Sequence, residues 1–98
     1  MYTFIREVSF KTMMDSVRGI PVTQAIVKYY KDAHGLDMVL LRPVAGAPTR
    51  LRFVSRMESM DASRALNLKA AQDPVFQKYL AEMALLVDGS KTLDEIWQ

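Results

Sequence analysis

Two periods alternate along this chain. Apolar positions recur every second residue over 2–14, near every 3.6 residues over 21–34, and every second residue again over 37–44 and 49–58. A second helical stretch covers 60–87, and a strand-like segment, 91–97, follows it. The order strand–helix–strand–strand–helix–strand predicts an α+β fold of the ferredoxin-like kind, βαββαβ, with an antiparallel sheet in the order 4-1-3-2. Ninety-eight residues make a single domain spanning 1–98.

The faces of the strands follow from the pleat. On the first strand Tyr2, Phe4, Arg6, Val8, Phe10, Thr12 and Met14 share one side, and Thr3, Ile5, Glu7, Ser9, Lys11 and Met13 the other. On the third, Leu51, Phe53, Ser55 and Met57 oppose Arg50, Arg52, Val54, Arg56 and Glu58. The aromatic sides of these central strands should face the helices and form the core. The other side mixes Ile5 and Val54 with Glu7, Arg52, Arg56 and Glu58, which is too apolar to stay wet. That face predicts a second copy of the chain packed sheet to sheet, with the Arg and Glu residues setting register more than adding stability.

Helix boundaries rest on local chemistry. Asp15, Ser16 and Gly19 are turn formers, so 15–20 reads as a loop with Pro21 as the first helical residue. The alternative starts a helix at Thr12 and kinks it at Pro21; the cost of an interior proline favours the loop. From Pro21 the stripe Val22, Ala25, Ile26, Tyr29 and Ala33 runs to a stop at Gly35. Ser59 or Asp61 caps the second helical region. Asp73-Pro74 breaks and restarts it, with Asp73 as cap and Pro74 as first residue.

Composition narrows the picture. A chain of this length buries only about 60–65% of its unfolded surface, and half of its residues are hydrophobic, which again points to a partner subunit. There is no cysteine, hence no disulfide or thiolate metal site. No apolar run approaches the roughly 20 residues that span a bilayer, and the start of the chain lacks a signal-peptide pattern, so a cytoplasmic protein is expected. A net charge of +2 is too small to argue for nucleic acid. Arg42, Arg50, Arg52 and Arg56 crowd strands two and three, but that face lacks the aromatics on which bases stack. No glycine-rich phosphate loop, metal-ligand spacing or Ser/His/Asp set is present, and no cofactor or metal is expected.

Arg6 is the sharpest single residue, a lone charge on the helix-facing stripe. A buried guanidinium needs a partner. Either it pairs with a carboxylate, such as a glutamate on a neighbouring strand, or it waits in a cavity for an anionic ligand. Tyr29 and Tyr79 fall on apolar helix stripes and could turn hydroxyls into the same cavity, beside Phe4, Phe53 and Met57. The commoner fate of such tyrosines is a core position with a backbone hydrogen bond. Seven methionines suit either an adaptable pocket wall or core filling. His34 sits in a last helical turn, where a cation favours the dipole. Asp94 and Glu95 are adjacent on a strand, face opposite ways and cannot act as a carboxylate pair.

Four segments, "KDAHGLDMVLLRP", "TRLRFVSRMESMD", "QDPVFQKYLAEM" and "VDGSKTLDEIW", carry a resemblance. In them the chain resembles the dimeric α+β barrel superfamily, in particular its small NIPSNAP-like and antibiotic-biosynthesis-monooxygenase-like members. These motifs are structural and not catalytic. The resemblance implies a homodimer with facing sheets and, in members that bind ligands, a cavity between each sheet and its helices. Haem-degrading relatives use a helix histidine, but no haem-site motif surrounds His34. Three functions compete: binding of a small hydrophobic or anionic molecule at Arg6, Phe4, Tyr29, Phe53, Met57 and Tyr79; cofactor-independent monooxygenase, isomerase or cyclase chemistry on an aromatic or polyketide-like substrate, with Arg6 stabilising negative charge; and a purely structural or regulatory dimer. An apolar cavity of roughly 300 Å³ or more reaching Arg6 favours the first two. A filled core with Arg6 paired favours the third.

Overall fold

The computed structural model describes all 98 residues. Four strands, β1 (Tyr2–Ser9), β2 (Met38–Leu41), β3 (Arg50–Met57) and β4 (Leu93–Trp97), form one sheet in the order β2-β3-β1-β4. Every pairing is antiparallel. Three helices, α1 (Met13–His34), α2 (Met60–Gln72) and α3 (Pro74–Ala84), connect them, with a 3₁₀ turn at Gly89–Lys91 before β4. This is the ferredoxin-like order expected from the periodicities.

Register aligns the pleats. Phe4 lies opposite Ser55, Arg6 opposite Phe53 and Val8 opposite Leu51, so one side of the sheet is continuous from β1 to β3. That side packs on the helices. Val8, Phe10, Leu51, Phe53 and Met57 are buried there, and Ile26, Tyr29, Tyr30, Phe76 and Met83 meet them from α1 and α3. Leu51, at 1% exposure, is the most enclosed of the large side chains. Burying a leucine or phenylalanine is worth about 1.5–3 kcal/mol each, so this layer holds the fold together.

One expectation is corrected. Residues 10–14 do not extend the first strand, and 15–20 is not a loop: α1 begins at Met13 and continues through Pro21. Thr12 caps it, its Oγ1 accepting from the Asp15 amide at 3.1 Å. Gly19 lies inside the helix because the Phe10 ring occupies the place where its Cβ would be. The turn-forming residues thus serve a tertiary contact. Pro21 removes one amide donor from the ladder, and Thr23, wholly buried, donates its hydroxyl to the Ile20 carbonyl at 3.0 Å.

The other caps follow the sequence. Gly35 takes a left-handed conformation (φ 65°), and its amide donates to the Lys31 carbonyl. Ser59 Oγ accepts from the Ala62 amide at 3.0 Å. Asp73 Oδ1 accepts from Val75 at 2.9 Å, and Pro74 opens α3 where no amide is needed. No helix is long and apolar enough to cross a membrane.

Candidate functional site: the cavity between sheet and helices

The helices do not fill the space over the sheet. A cavity of about 270 Å³ remains, lined by 19 residues, of which 14 are hydrophobic. Phe4 and Val8 of β1 and Phe53 and Met57 of β3 form its floor, and Tyr30, Phe76 and Met83 stand on the helix side. Arg6 is the one charged lining residue.

Arg6 is held by β4. Across the β1–β4 pairing Asp94 lies directly opposite, on the same side of the sheet. Arg6 donates from Nε to Oδ1 at 2.7 Å and from Nη2 to Oδ2 at 2.9 Å, a bidentate fork. The hydrogen bond from Arg6, and its charge, hold the Asp94 carboxyl below the ordinary aspartate range. Both side chains are a little under half exposed, so the pair sits at the rim of the cavity and not in its depth. The guanidinium also lies 5.7 Å from the centre of the Phe4 ring. The sequence offers two fates for Arg6, a pair or a cavity, and the structure combines them.

The six residues named from sequence separate. Arg6, Phe4, Phe53 and Met57 come together on the cavity. Tyr29 and Tyr79 are not among its lining residues. Tyr29 stands behind the wall, stacked on Phe76 with centroids 5.2 Å apart, and Tyr79 packs edge-on against Tyr29. The Tyr29 hydroxyl donates to Asp73 Oδ2 at 2.7 Å and lies 3.1 Å from His34 Nε2. With its hydroxyl hydrogen directed at Asp73, Tyr29 has a lone pair free to accept from His34 in the tautomer that carries hydrogen on Nε2. Burial first, and the bond to Asp73 second, push the Tyr29 phenol up to about 12. This cluster ties the end of α1 to the start of α3.

Tyr30 takes the place expected of Tyr29. It is buried, lines the cavity, and its hydroxyl has no hydrogen-bond partner in the chain. Burial pushes its phenol up and the nearby Arg6 pulls it back. Ser55, 5% exposed on β3, is a second cavity-lining hydroxyl without a partner. Tyr30, Ser55 and Asp94 were not singled out as site residues from sequence. Parity places Ser55 and Asp94 on the correct sides, but only the register brings Asp94 to Arg6.

The opposite side of the sheet is open. Glu7 accepts from Arg52 Nε at 2.9 Å and has Arg50 Nη1 at 3.7 Å, while Arg56 and Glu58 are exposed and unpaired. Around them Val39, Leu41, Leu93 and Trp97 are 48–58% exposed. A polar groove of about 350 Å³ runs along Glu7, Arg42, Arg50 and Arg52 at the β2–β3 end. It exceeds the inner cavity in volume but offers little apolar wall, and small-molecule sites are mostly apolar and concave. The inner cavity is therefore the stronger candidate. No group of three or more His, Asp or Glu side chains is arranged to hold a metal.

No family model matches the sequence, and no curated protein matches it. Solved structures do. A NIPSNAP domain protein from Burkholderia xenovorans superposes with a TM-score of 0.81 at 13% identity, over 100% of this chain and 93% of that one. A NIPSNAP family protein from Agrobacterium tumefaciens gives 0.83 at 12% identity, over 99% and 90%. SnoaB, a cofactor-independent oxygenase from Streptomyces nogalater, gives 0.73 at 13% identity, over 99% and 90%. Such identities speak for shape and not for activity. The chain has the ferredoxin-like α+β fold that these NIPSNAP and antibiotic-biosynthesis-monooxygenase-like structures share.

Proposed function

We propose that this protein binds a small, largely apolar molecule between its sheet and helices, and that it does so as a homodimer with the open sheet faces packed together. The cavity carries the first half of this reading. Its volume of about 270 Å³ falls just short of the range usual for small-molecule sites, about 300–1,000 Å³, so it suits a small ligand. Its walls are apolar, and of the few polar side chains among them Arg6, Tyr30 and Ser55 have hydrogen-bonding capacity to spare, beside Ser63, Asn67 and Thr92. Isotope-labelled methionine methyls test it. Met38, Met57 and Met83 line the cavity, whereas Met13 and Met14 are exposed on α1. A ligand in the cavity shifts the first three resonances and leaves the other two; a compound that shifts only Met13 and Met14 binds elsewhere.

The open face supports the second half. Half-buried Ile5 and Val54 and the exposed apolar side chains around them need cover, and unpaired Arg56 and Glu58 offer complementary charges to a second copy. Multi-angle light scattering at micromolar concentration should return twice the chain mass. A monomer there removes this half of the proposal.

A catalytic reading also has an observation behind it, the unpartnered Tyr30 hydroxyl beside the Arg6 cation in an apolar space. There, Arg6 would stabilise a developing oxyanion while the walls exclude water. The named similarity to a cofactor-independent oxygenase fits that chemistry. Binding remains the favoured reading because Asp94, the nearest carboxylate, is held below its ordinary range by Arg6 and is a weak base. Oxygen consumption with polyphenol substrates, measured in wild type and Tyr30→Phe, decides between them: turnover that falls in the variant establishes catalysis.

A further inference from the structure

We propose that the cavity selects an uncharged ligand bearing an oxygen acceptor, a ketone or a phenol rather than a carboxylate or phosphate, and that Asp94 sets this selectivity. The inference rests on the cavity being a binding site. It concerns what the one charged lining residue can recognise.

A guanidinium has five N–H groups, and the fork to Asp94 takes two of them, Nε–H and one on Nη2. Three remain, including both on Nη1, which makes no hydrogen bond in the chain. Arg6 therefore still donates, but its charge is already matched by a carboxylate less than 3 Å away. No other charged residue lines the cavity. An anionic ligand approaching Nη1 would gain little from a neutralised cation and would meet the Asp94 carboxylate across the same guanidinium, and such like-charge juxtaposition is costly. A carbonyl or phenol oxygen accepts the same N–H bond without that repulsion. The hydroxyls of Tyr30 and Ser55 extend the preference, since neutral donors suit a neutral acceptor and add no charge to balance an anion.

The arrangement makes Asp94 a device for rejecting anions. Replacing it with asparagine keeps an acceptor for Arg6 Nε and removes the negative charge. Because the pair is partly exposed, the change should leave the fold intact. Arg6 then becomes an unmatched cation at the rim of an apolar space, which is the chemistry of a carboxylate site.

Matched probes test this. Acetophenone with benzoate, and 2-acetylnaphthalene with 2-naphthoate, differ within each pair only in an uncharged ketone against a carboxylate of similar shape. Affinities are read from titrations of the Met38, Met57 and Met83 methyl resonances. In the wild type the ketone of a pair should bind about tenfold more tightly than its carboxylate. In Asp94→Asn the carboxylate should gain about tenfold while the ketone changes little. Arg6→Met should weaken the ketone without any gain for the carboxylate. Equal affinities within a pair in the wild type, or a ratio unmoved by Asp94→Asn, would overturn the selectivity while leaving the cavity a binding site. No shift from any probe in any of the proteins would remove the binding reading itself, and this inference with it.

Discussion

Arg6 and Glu7 are neighbours in sequence and point to opposite sides of one strand, each paired to an opposite charge. Their surroundings differ in kind. Behind Arg6 the sheet is roofed by the helices, with buried aromatics and a cavity open at its rim. Around Glu7 nothing covers the sheet, and Val39, Leu41, Leu93 and Trp97 stand half exposed among arginines. The folded chain thus covers one side of its sheet and leaves the other open. Folding stability should reside on the first side, and assembly on the second.

The widest separation between the two sides should come from volume deletion. Leu51→Ala, at the most enclosed large side chain, should cost about 2–5 kcal/mol in chemical denaturation. Val54→Asp, three residues along β3 on the open side, should cost far less in dilute solution and yield a species of single-chain mass. If Val54→Asp unfolds the chain as Leu51→Ala does, the open side belongs to the folding core and the contrast is broken.

Gly19 probes how the roof is seated. A valine there would drive two methyls into the Phe10 ring, and overpacking of this kind costs about 1–3 kcal/mol. The expected readout is a lower denaturation midpoint with assembly unaffected. A neutral result would mean that Phe10 has somewhere else to go and that α1 is loosely held over the sheet.

That same contact explains what the sequence conceals. Alternation located every strand and assigned Arg6, Phe53 and Arg52 to the correct sides, because a period of two is a property of each strand alone. The start of α1 at Thr12 stands in the sequence only as the less favoured alternative because Gly19 and Pro21 are locally turn-like, and the reason for a glycine there lies on Phe10, nine residues away. Counting the helix stripe from Pro21 favoured Tyr29 for the cavity. The packing of α1 on α3 instead leaves Tyr30 there and draws Tyr29 to Asp73, 44 residues distant. Asp94 shows the same limit. Its side of β4 follows from parity, but its place opposite Arg6 is a matter of register between the first and last strands.

A smaller effect distinguishes the two ion pairs. Both Arg6–Asp94 and Arg52–Glu7 are partly exposed, and pairs of this kind contribute about 0–1 kcal/mol. Arg6→Met should therefore leave the melting temperature nearly unchanged while altering ligand preference. Arg52→Met should alter neither, and should instead shift the monomer–dimer midpoint in a dilution series. An exchange of these phenotypes would mean that the sides of the sheet had been assigned the wrong tasks.

The smallest expected effect concerns pH, and it belongs to the roofed side. Tyr29 and Asp73 share a proton donor and acceptor 2.7 Å apart. The hydrogen bond from Tyr29, with that from the Val75 amide, lowers the Asp73 carboxyl below its ordinary value near 3.8. A carboxylate depressed in the folded state adds stability that is complete above its unfolded value and is lost as pH falls through the folded one. Tyr29 runs in the opposite direction. Its phenol is raised from 10.0 to about 12, so its contribution is complete below pH 10 and is lost as pH climbs from there toward 12. Tyr29→Phe should thus flatten the acid limb of a melting-temperature profile, since Asp73 loses its strongest donor and its carboxyl returns toward the ordinary value. It should also flatten the alkaline limb between about 10 and about 12. A profile unchanged at both ends would show that α1 and α3 hold together through the stacking of ring 29 on Phe76 alone, without help from the hydroxyl.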